Sequence, residues 1–188
     1  MSGTPEAGRW LDGELPDNVR LGTGTVIQGA QCFKRFHNHA TGALDIGPDC
    51  TLDNVHFAAG PAGRIVIGRC CYLCAPILLV EAELRIGDYV MIGWNTVIAD
   101  TDFHPLDPAL RVADAVACSP LGKGRARPPI DRQPVTIGDD VWIGPAVTIL
   151  KGVTIGSGSW IEPGTLITRS VPPRSRVSGN PGRIVGEV

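Results

Sequence analysis

The chain has 188 residues, a length suited to one domain with a sizeable core or to one solenoid with decorations. Its 24 glycines and 16 prolines exceed ordinary usage, yet 43% of the residues are hydrophobic, which indicates a turn-rich folded protein rather than a disordered one. The formal net charge of −2 excludes a general electrostatic attraction to nucleic acid or to an anionic membrane.

Residues 1–20 carry no repeat and are predicted to form an irregular lead-in. They lack the positively charged segment followed by an apolar stretch that marks a secretory signal. No run in the chain approaches the roughly 18 apolar residues of a membrane-spanning helix. We therefore expect a soluble, cytoplasmic protein without a membrane or nucleic-acid partner.

A six-residue repeat of aliphatic side chains begins weakly in residues 21–99, which we predict to form irregular β-helix coils. Its members are Leu21, Ile27, Ile46, Leu52, Ile67, Leu73, Leu79, Ile86, Ile92 and Ile98. The spacing slips between groups of these residues, which predicts bulges or small loops, above all at 33–39 and at the turn 60–63.

The repeat stops over residues 100–134 and resumes at Val135, as expected for a loop extruded from one corner of a solenoid. The second half of this loop is basic, with only Asp131 against four cations. These are Lys123, Arg125, Arg127 and Arg132. The patch is interpreted either as a solvated, flexible loop or as a contact for a phosphate or an anionic acceptor.

The strongest signal is a block of six consecutive hexapeptides from Ile137 to Pro172. Each opens with an isoleucine: Ile137, Ile143, Ile149, Ile155, Ile161 and Ile167. Four residues later stand small or β-branched side chains: Val141, Val147, Val153, Ser159, Thr165 and Val171. A period of six predicts one flat side of a coil per repeat, with neighbouring coils paired as parallel strands about 4.8 Å apart. We predict regular coils over 135–171, with the isoleucines stacked inside, and a short tail over 172–188.

Glycines punctuate this block, and we expect them at corners because glycine tolerates backbone angles that other residues resist. They are Gly138, Gly144, Gly152, Gly156, Gly158 and Gly164. The six cysteines sit in no repeating framework, and Cys50 and Cys71 fall in the small-residue slot, so we predict buried reduced thiols. A zinc pair at Cys71 and Cys74 lacks a second such pair or a nearby histidine.

His104 is the candidate catalytic residue, because it stands at the root of the extruded loop with carboxylates on both sides. A neutral imidazole is a suitable general base near neutral pH and typically contributes about 10²–10⁴-fold to a rate. Asp102 or Asp100 is expected to orient the ring, although acidic residues beside it equally serve to solvate a loop.

Three stretches resemble the hexapeptide-repeat acyltransferases, whose fold is a left-handed parallel β-helix. They are residues 99–111 with the His-Pro-Leu-Asp-Pro core at 104–108, residues 135–152 with Ile-Gly-Asp-Asp-Val-Trp-Ile-Gly at 137–144, and residues 161–184 ending in Gly-Asn-Pro-Gly-Arg-Ile. The likeness covers residues 67–188 and is greatest to maltose and galactoside O-acetyltransferases and to acetyltransferases that modify bacterial polysaccharides. It implies an all-β fold with the extruded loop and a short C-terminal tail.

The resemblance also implies a homotrimer that binds acetyl-CoA as co-substrate between two solenoids, with no metal. His104 would deprotonate the acceptor, whose hydroxyl or amine would attack the thioester directly, while backbone amides hold the oxyanion. The residues expected to contact CoA are Gly144, Pro145, Pro163, Gly164, Arg169 and Arg183. Trp142 is interpreted as an acceptor contact or as packing at the trimer interface, and Asn95 as a corner residue or an acceptor contact.

Two departures from the family bear on the acceptor: the loop after His104 is longer, and the chain before Ile67 does not match the family's amino-terminal region. A saccharide hydroxyl is the favoured acceptor, with an amino sugar or another small amine as the alternative. Two further classes stay open. One is a non-catalytic trimeric scaffold, and the other is a zinc-dependent, γ-class-like carbonic anhydrase that would use His37, His39 and His56.

Overall fold

The protein is a three-sided parallel β-helix, described here by a computed structural model that covers residues 6–188. Residues 1–5 of the predicted lead-in lie outside this range. In chain order the strands are β1 (Arg9–Trp10), β2 (Val19–Leu21), β3 (Val26–Gln28), β4 (Leu44–Ile46), β5 (Thr51–Asp53), β6 (His56–Ala59), β7 (Arg64–Ile67), β8 (Tyr72–Cys74), β9 (Ile77–Val80), β10 (Glu83–Ile86), β11 (Met91–Ile92), β12 (Val97–Ala99), β13 (Val135–Ile137), β14 (Trp142–Ile143), β15 (Thr148–Ile149), β16 (Thr154–Ile155), β17 (Trp160–Ile161), β18 (Leu166–Ile167), β19 (Ser175–Ser178) and β20 (Arg183–Glu187).

These strands form three sheets, each of which supplies one side of the prism. Sheet A has the strand order β1-β3-β5-β8-β11-β14-β17-β19-β20, sheet B the order β16-β13-β10-β7-β4-β2, and sheet C the order β18-β15-β12-β9-β6. Helix α1 (Pro108–Cys118) and a 3₁₀ turn (Pro120–Gly122) lie in the segment between β12 and β13. In residues 6–188 no helix is long and apolar enough to cross a bilayer.

The predicted isoleucine stack is confirmed. Each of the six isoleucines from Ile137 to Ile167 is at most 2% exposed, and copies pair in register between coils. In sheet A, for example, Ile92 pairs with Ile143 and Ile143 with Ile161. Each buried side chain contributes about 1.5–3 kcal/mol, so the repeated stack supplies the stability that a single hexapeptide lacks.

The small-residue slot four positions later is also buried, and two of its polar members are tied to the backbone of the next coil, whereas the Thr165 hydroxyl has no partner within residues 6–188. The Thr96 hydroxyl donates to the carbonyl of Gly144 (2.9 Å), and the Ser159 hydroxyl to that of Pro172 (3.0 Å). Cys50 and Cys71 occupy the same slot as buried free thiols. Of the six cysteines, Cys70 and Cys118 are exposed and Cys74 is only partly buried, so the expectation of burial holds for Cys32, Cys50 and Cys71.

The corners follow a conformational rule with the same period. The third residue after the isoleucine has a left-handed backbone in five successive repeats: Asp140, Ala146, Gly152, Gly158 and Gly164. The predicted role of glycine is therefore confirmed at three of these corners. At Gly144 the reason is different, because a β-carbon there would lie 2.7 Å from the backbone nitrogen of Pro163 in the next coil.

The prediction was wrong at one position of the weak repeat. Leu79 points outward, whereas Leu78 and Val80 are buried and Leu78 pairs with Ile98. The corner between β8 and β9 is one residue shorter than the corner between β11 and β12, since Leu78 follows Leu73 by five positions whereas Ile98 follows Ile92 by six. The predicted slips at 33–39 and 60–63 do coincide with non-strand connections.

The ends of the chain are more regular than the sequence indicated. Within the predicted lead-in 1–20, β1 already pairs with β3, and the Trp10 ring packs edge-on against Phe33 with 4.9 Å between ring centroids. The tail 172–188 continues sheet A as β19 and then folds back as the antiparallel strand β20. Both segments therefore extend the sheets instead of hanging free.

Candidate active site

The extruded segment 100–134 leaves sheet C after β12 and returns to sheet B at β13, so it emerges at the corner between these sheets. Its neck is closed by an antiparallel bridge between Thr101 and Arg132. The ammonium group of Lys151, from a later coil, pairs with both Asp102 (2.8 Å) and Asp131. Cross-links from a regular coil thus fix the position from which the loop starts.

Helix α1 follows the neck, and the sequence explains where it begins. Asp107 caps the helix by accepting a hydrogen bond from the Leu110 backbone amide (2.9 Å), and Pro108 occupies the first turn, where a missing amide hydrogen costs nothing. Asp114 is the only buried side chain of this helix. Helix formation therefore brings one carboxylate under the root of the loop.

Asp114 meets His104 there. The Nδ1 atom of His104 lies 2.6 Å from Oδ2 of Asp114, which is fully buried, while the imidazole is 60% exposed. Because the carboxylate only accepts hydrogen bonds, Nδ1 carries the proton and donates it. The neutral ring then has its lone pair on Nε2, which is the state a general base requires.

Arg127 completes the arrangement from the other end of the loop. Its Nε donates to Oδ1 of Asp114 (2.7 Å) and its Nη2 to Oδ2 (3.0 Å), a bidentate ion pair. Nη2 also donates to the carbonyl of Phe103 (2.9 Å), next to the histidine. Hydrogen bonds from Arg127 first, and from His104 second, hold the pKa of Asp114 well below its usual range, so this carboxylate stays ionised.

The carboxylates predicted to orient His104 are engaged elsewhere. Asp100 is buried and accepts hydrogen bonds from the backbone amides of Glu81 and Ala82, both at 2.7 Å, and burial raises its pKa. Asp102 pairs with Lys151. Sequence reasoning missed Asp114, although an Asp-Pro helix start followed by one acid among alanines and valines was a usable signal.

The basic patch of the loop divides into two parts. Arg127 binds Asp114, and Arg132 donates to the carbonyl of Glu81 (2.9 Å), so both have structural partners. Lys123 and Arg125 are exposed. The part of the patch available to a ligand is therefore smaller than the sequence indicated.

Two clefts lie along the edge of the prism where the chain passes from sheet C to sheet B. One, of about 220 Å³, is lined by His104, Arg127, Phe103, Leu79 and Glu81, among others. The other, of about 300 Å³, follows β18 and brings Arg169 and Arg183 together. Two guanidinium groups in one cleft are suited to phosphate groups.

The remaining predicted residues lie at the opposite edge of sheet C. Gly144 and Pro145 occupy the corner between β14 and β15, and Pro163 and Gly164 the matching corner one coil later. Asn95 is an exposed, left-handed residue of an earlier corner of this kind. Within one chain these residues and His104 therefore stand on different edges of the prism.

Trp142 projects from the outer face of sheet A and packs edge-on against Trp160, with 5.3 Å between ring centroids. Together with Tyr72, Met91 and Trp94 it borders an apolar depression of about 230 Å³. Packing is thus the observed role of Trp142 in the single chain.

The hexapeptide repeat and its parallel β-helix place the chain in the class of hexapeptide transferases. A family model described as "Bacterial transferase hexapeptide (six repeats)" matches residues 134–169. Nodulation protein L of Rhizobium meliloti (strain 1021) is 36% identical over 181 residues, covering 96% of this chain and 85% of that protein. The chain belongs to the hexapeptide-repeat acyltransferase family.

Two further similar proteins are acetyltransferases by name. Galactoside O-acetyltransferase of Escherichia coli (strain K12) is 33% identical over 135 residues, covering 71% of this chain and 58% of that enzyme. A hexapeptide-repeat acetyltransferase of Vibrio cholerae O1 biovar eltor, solved in complex with acetyl coenzyme A, is 31% identical with a TM-score of 0.56. That match covers 74% of this chain and 65% of the other, so the chain spans less than two thirds of either protein, 58% of the first and 65% of the second.

Proposed function

We propose that the protein transfers an acetyl group from acetyl-CoA to a hydroxyl of a sugar or saccharide, with His104 as general base. The observation that carries the proposal is the contact between Nδ1 of His104 and the buried Asp114. This contact selects the tautomer with a free Nε2 and leaves the ring exposed beside a cleft. The relative from E. coli, a galactoside O-acetyltransferase by name, supports a sugar acceptor.

The chemistry needs one base that also returns its proton. Nε2 of His104 takes the proton of the acceptor hydroxyl as its oxygen attacks the thioester carbonyl, and the tetrahedral adduct then expels the CoA sulfur, which receives that proton. Asp114 stabilises the imidazolium formed in between, and Arg127 keeps Asp114 ionised. Backbone amides would hold the oxyanion, so no cysteine nucleophile is required.

Acetyl-CoA would bind toward the C-terminal end of the prism. Arg169 and Arg183 share a cleft and would hold its phosphates. The corner residues Gly144 and Gly164 stand across sheet C from His104, so within one chain they lie on the wrong edge for a shared site. A homotrimer, in which a neighbouring copy brings its own corner to the His104 loop, would unite the two groups.

The test combines binding and turnover. Isothermal titration calorimetry with acetyl-CoA, followed by release of free CoA thiol over a panel of sugars, nucleotide sugars and amines, separates the alternatives. We expect micromolar binding and thiol release with a saccharide. Thiol release with amines alone would assign an N-acetyltransferase, whereas no detectable acetyl-CoA binding would favour the non-catalytic scaffold.

The alternative function, a zinc-dependent carbonic anhydrase, has less support from the side chains than acetyl transfer. No three His, Cys, Asp or Glu side chains within residues 6–188 form a group that could hold a metal ion. His56 instead lines a cleft with Lys34 and Arg35. Elemental analysis of the purified protein tests this alternative directly, since stoichiometric zinc would revive it.

A further inference from the structure

A third cleft, of about 320 Å³, adjoins the cleft of His104 and has so far no role. Its lining includes Lys34, Arg35, Gln31, His56 and Ile77, and it shares Ala58 with the His104 cleft. Ala58 pairs in register with Leu79, which lines the His104 cleft. The outer faces of β6 and β9 therefore form one continuous floor beneath both clefts.

The wall of this cleft is the connection between β3 and β4, and aromatic packing holds it in place. Phe33 stacks on the buried Phe57 with 5.4 Å between centroids, and the His37 backbone amide donates to the carbonyl of Ala59 (2.8 Å). The Phe57 amide donates to the carbonyl of Cys32 (3.0 Å) in the same way. The segment thus covers the free edge of sheet C at β6.

Lys34 and Arg35 lie between these anchors and are exposed. Within residues 6–188 neither forms an ion pair, and none of the side chains that line this cleft is acidic. The carboxylate in the adjoining His104 cleft is Glu81, and Arg127 lines that cleft as well. The third cleft therefore offers two cations without internal counterions, on a backbone held by buried rings.

The order of sheet C places this cleft relative to the reaction. The His104 loop leaves β12, the middle strand, while Arg169 follows β18, two strands to one side. Lys34 and Arg35 lie beside β6, two strands to the other side. At about 4.8 Å per strand, each basic cleft is roughly 10 Å from the strand that carries the loop.

We propose that the Lys34 and Arg35 cleft binds an anionic group of the acceptor, which is therefore a saccharide carrying a carboxylate or a phosphate about two sugar rings from the hydroxyl that is acylated. The inference rests on the proposed function, because CoA phosphates at Arg169 and Arg183 leave the β6 side for the acceptor. A neutral monosaccharide would occupy only the His104 cleft. An extended anionic saccharide fills both clefts and pairs with the two free cations.

The experiment compares three matched disaccharides: cellobiose, its uronic acid counterpart, and cellobiose 1-phosphate. Their dissociation constants are measured by calorimetry in the presence of CoA, and kcat/KM by thiol release. We expect at least one charged probe to bind tenfold or more tightly than cellobiose. Preference for the uronic acid or for the phosphate identifies which anion the cleft takes.

The variants Lys34→Ala plus Arg35→Ala remove the two cations. As a matched control, Lys123→Ala plus Arg125→Ala remove an exposed basic pair of the extruded segment that lines neither this cleft nor the His104 cleft. The first pair should abolish the preference for the charged probe, and the second should retain it. Equal binding of neutral and charged probes to the wild type, no binding of either charged probe, or an unchanged preference in the first double variant would overturn the assignment. Absence of acetyl-CoA binding to the wild type would instead refute the proposed function, so the two failures are distinguishable.

Discussion

Replacing Asp114 by asparagine tests the contact between Asp114 and His104, which the structure shows and the sequence alone did not predict. An asparagine oxygen would still accept from Arg127, but its amide would face Nδ1 of His104 as a donor. The ring would then adopt the tautomer with the proton on Nε2 and could no longer act as a base. A positioned general base is worth about 10²–10⁴-fold. Since the ring is 60% exposed and can reorient in water, we expect kcat to fall by about 10²-fold, the lower end.

The assay is thiol release from acetyl-CoA with the best acceptor of the panel, run beside Asp131→Asn. Asp131 is a matched control because it belongs to the same loop and pairs with Lys151 rather than with His104. The KM for acetyl-CoA should be unchanged in both variants, and ¹⁵N shifts of the imidazole should report the altered tautomer only in Asp114→Asn. A kcat equal to the wild type, with the tautomer changed, would refute the claim that Asp114 orients the base.

The remaining predictions concern cofactor binding, the core and pH. Arg183→Glu should weaken CoA binding at least about tenfold by charge reversal, and an unchanged dissociation constant would place that arginine outside the site. Ile149→Ala should lower the free energy of unfolding by about 2–5 kcal/mol, because it opens a cavity in the isoleucine stack, and a wild-type melting curve would contradict its burial. Thr165→Val should be neutral or stabilising, since that buried hydroxyl has no partner within residues 6–188, whereas Thr96→Val should destabilise by about 1 kcal/mol through loss of its bond to Gly144. The pKa of Asp114 is lower in the folded protein than in the unfolded chain. The ionised carboxylate should therefore contribute its full stabilisation above about pH 4 and lose it as the pH falls further. A denaturation series in which wild type and Asp114→Asn differ equally at pH 7 and pH 2 would contradict this.

The solenoid could be predicted from sequence because every coil buries the same kinds of residue at the same positions of the repeat. An inward isoleucine, a left-handed corner and a small buried residue recur together, so the period alone fixed the positions of Ile137 to Ile167. The error at Leu79 arose where one corner is a residue shorter. A shortened corner leaves no mark in an aliphatic run such as Ile77–Val80, in which every residue can face inward or outward.

The candidate site was predictable only in part. His104 could be selected because it stands where the repeat stops, and Arg169 and Arg183 do share a cleft. The carboxylate partner of His104 could not be predicted, because contact with Asp114 requires α1 to form and fold back under the loop. Asp102, the nearer acid in sequence, is taken by Lys151, which lies 49 residues away along the chain. Such long-range competition for a carboxylate is decided by the fold and not by local spacing.

The role of His104 is tested most directly by single-turnover acetyl transfer with His104→Ala, using the best acceptor of the panel and acetyl-CoA at saturation. The imidazole is exposed and lies on a loop outside the isoleucine stack, so the variant should fold and bind acetyl-CoA with an unchanged dissociation constant. We predict a transfer rate lower by at least about 10²-fold. A rate within a few-fold of the wild type would contradict the account and remove His104 from the chemistry.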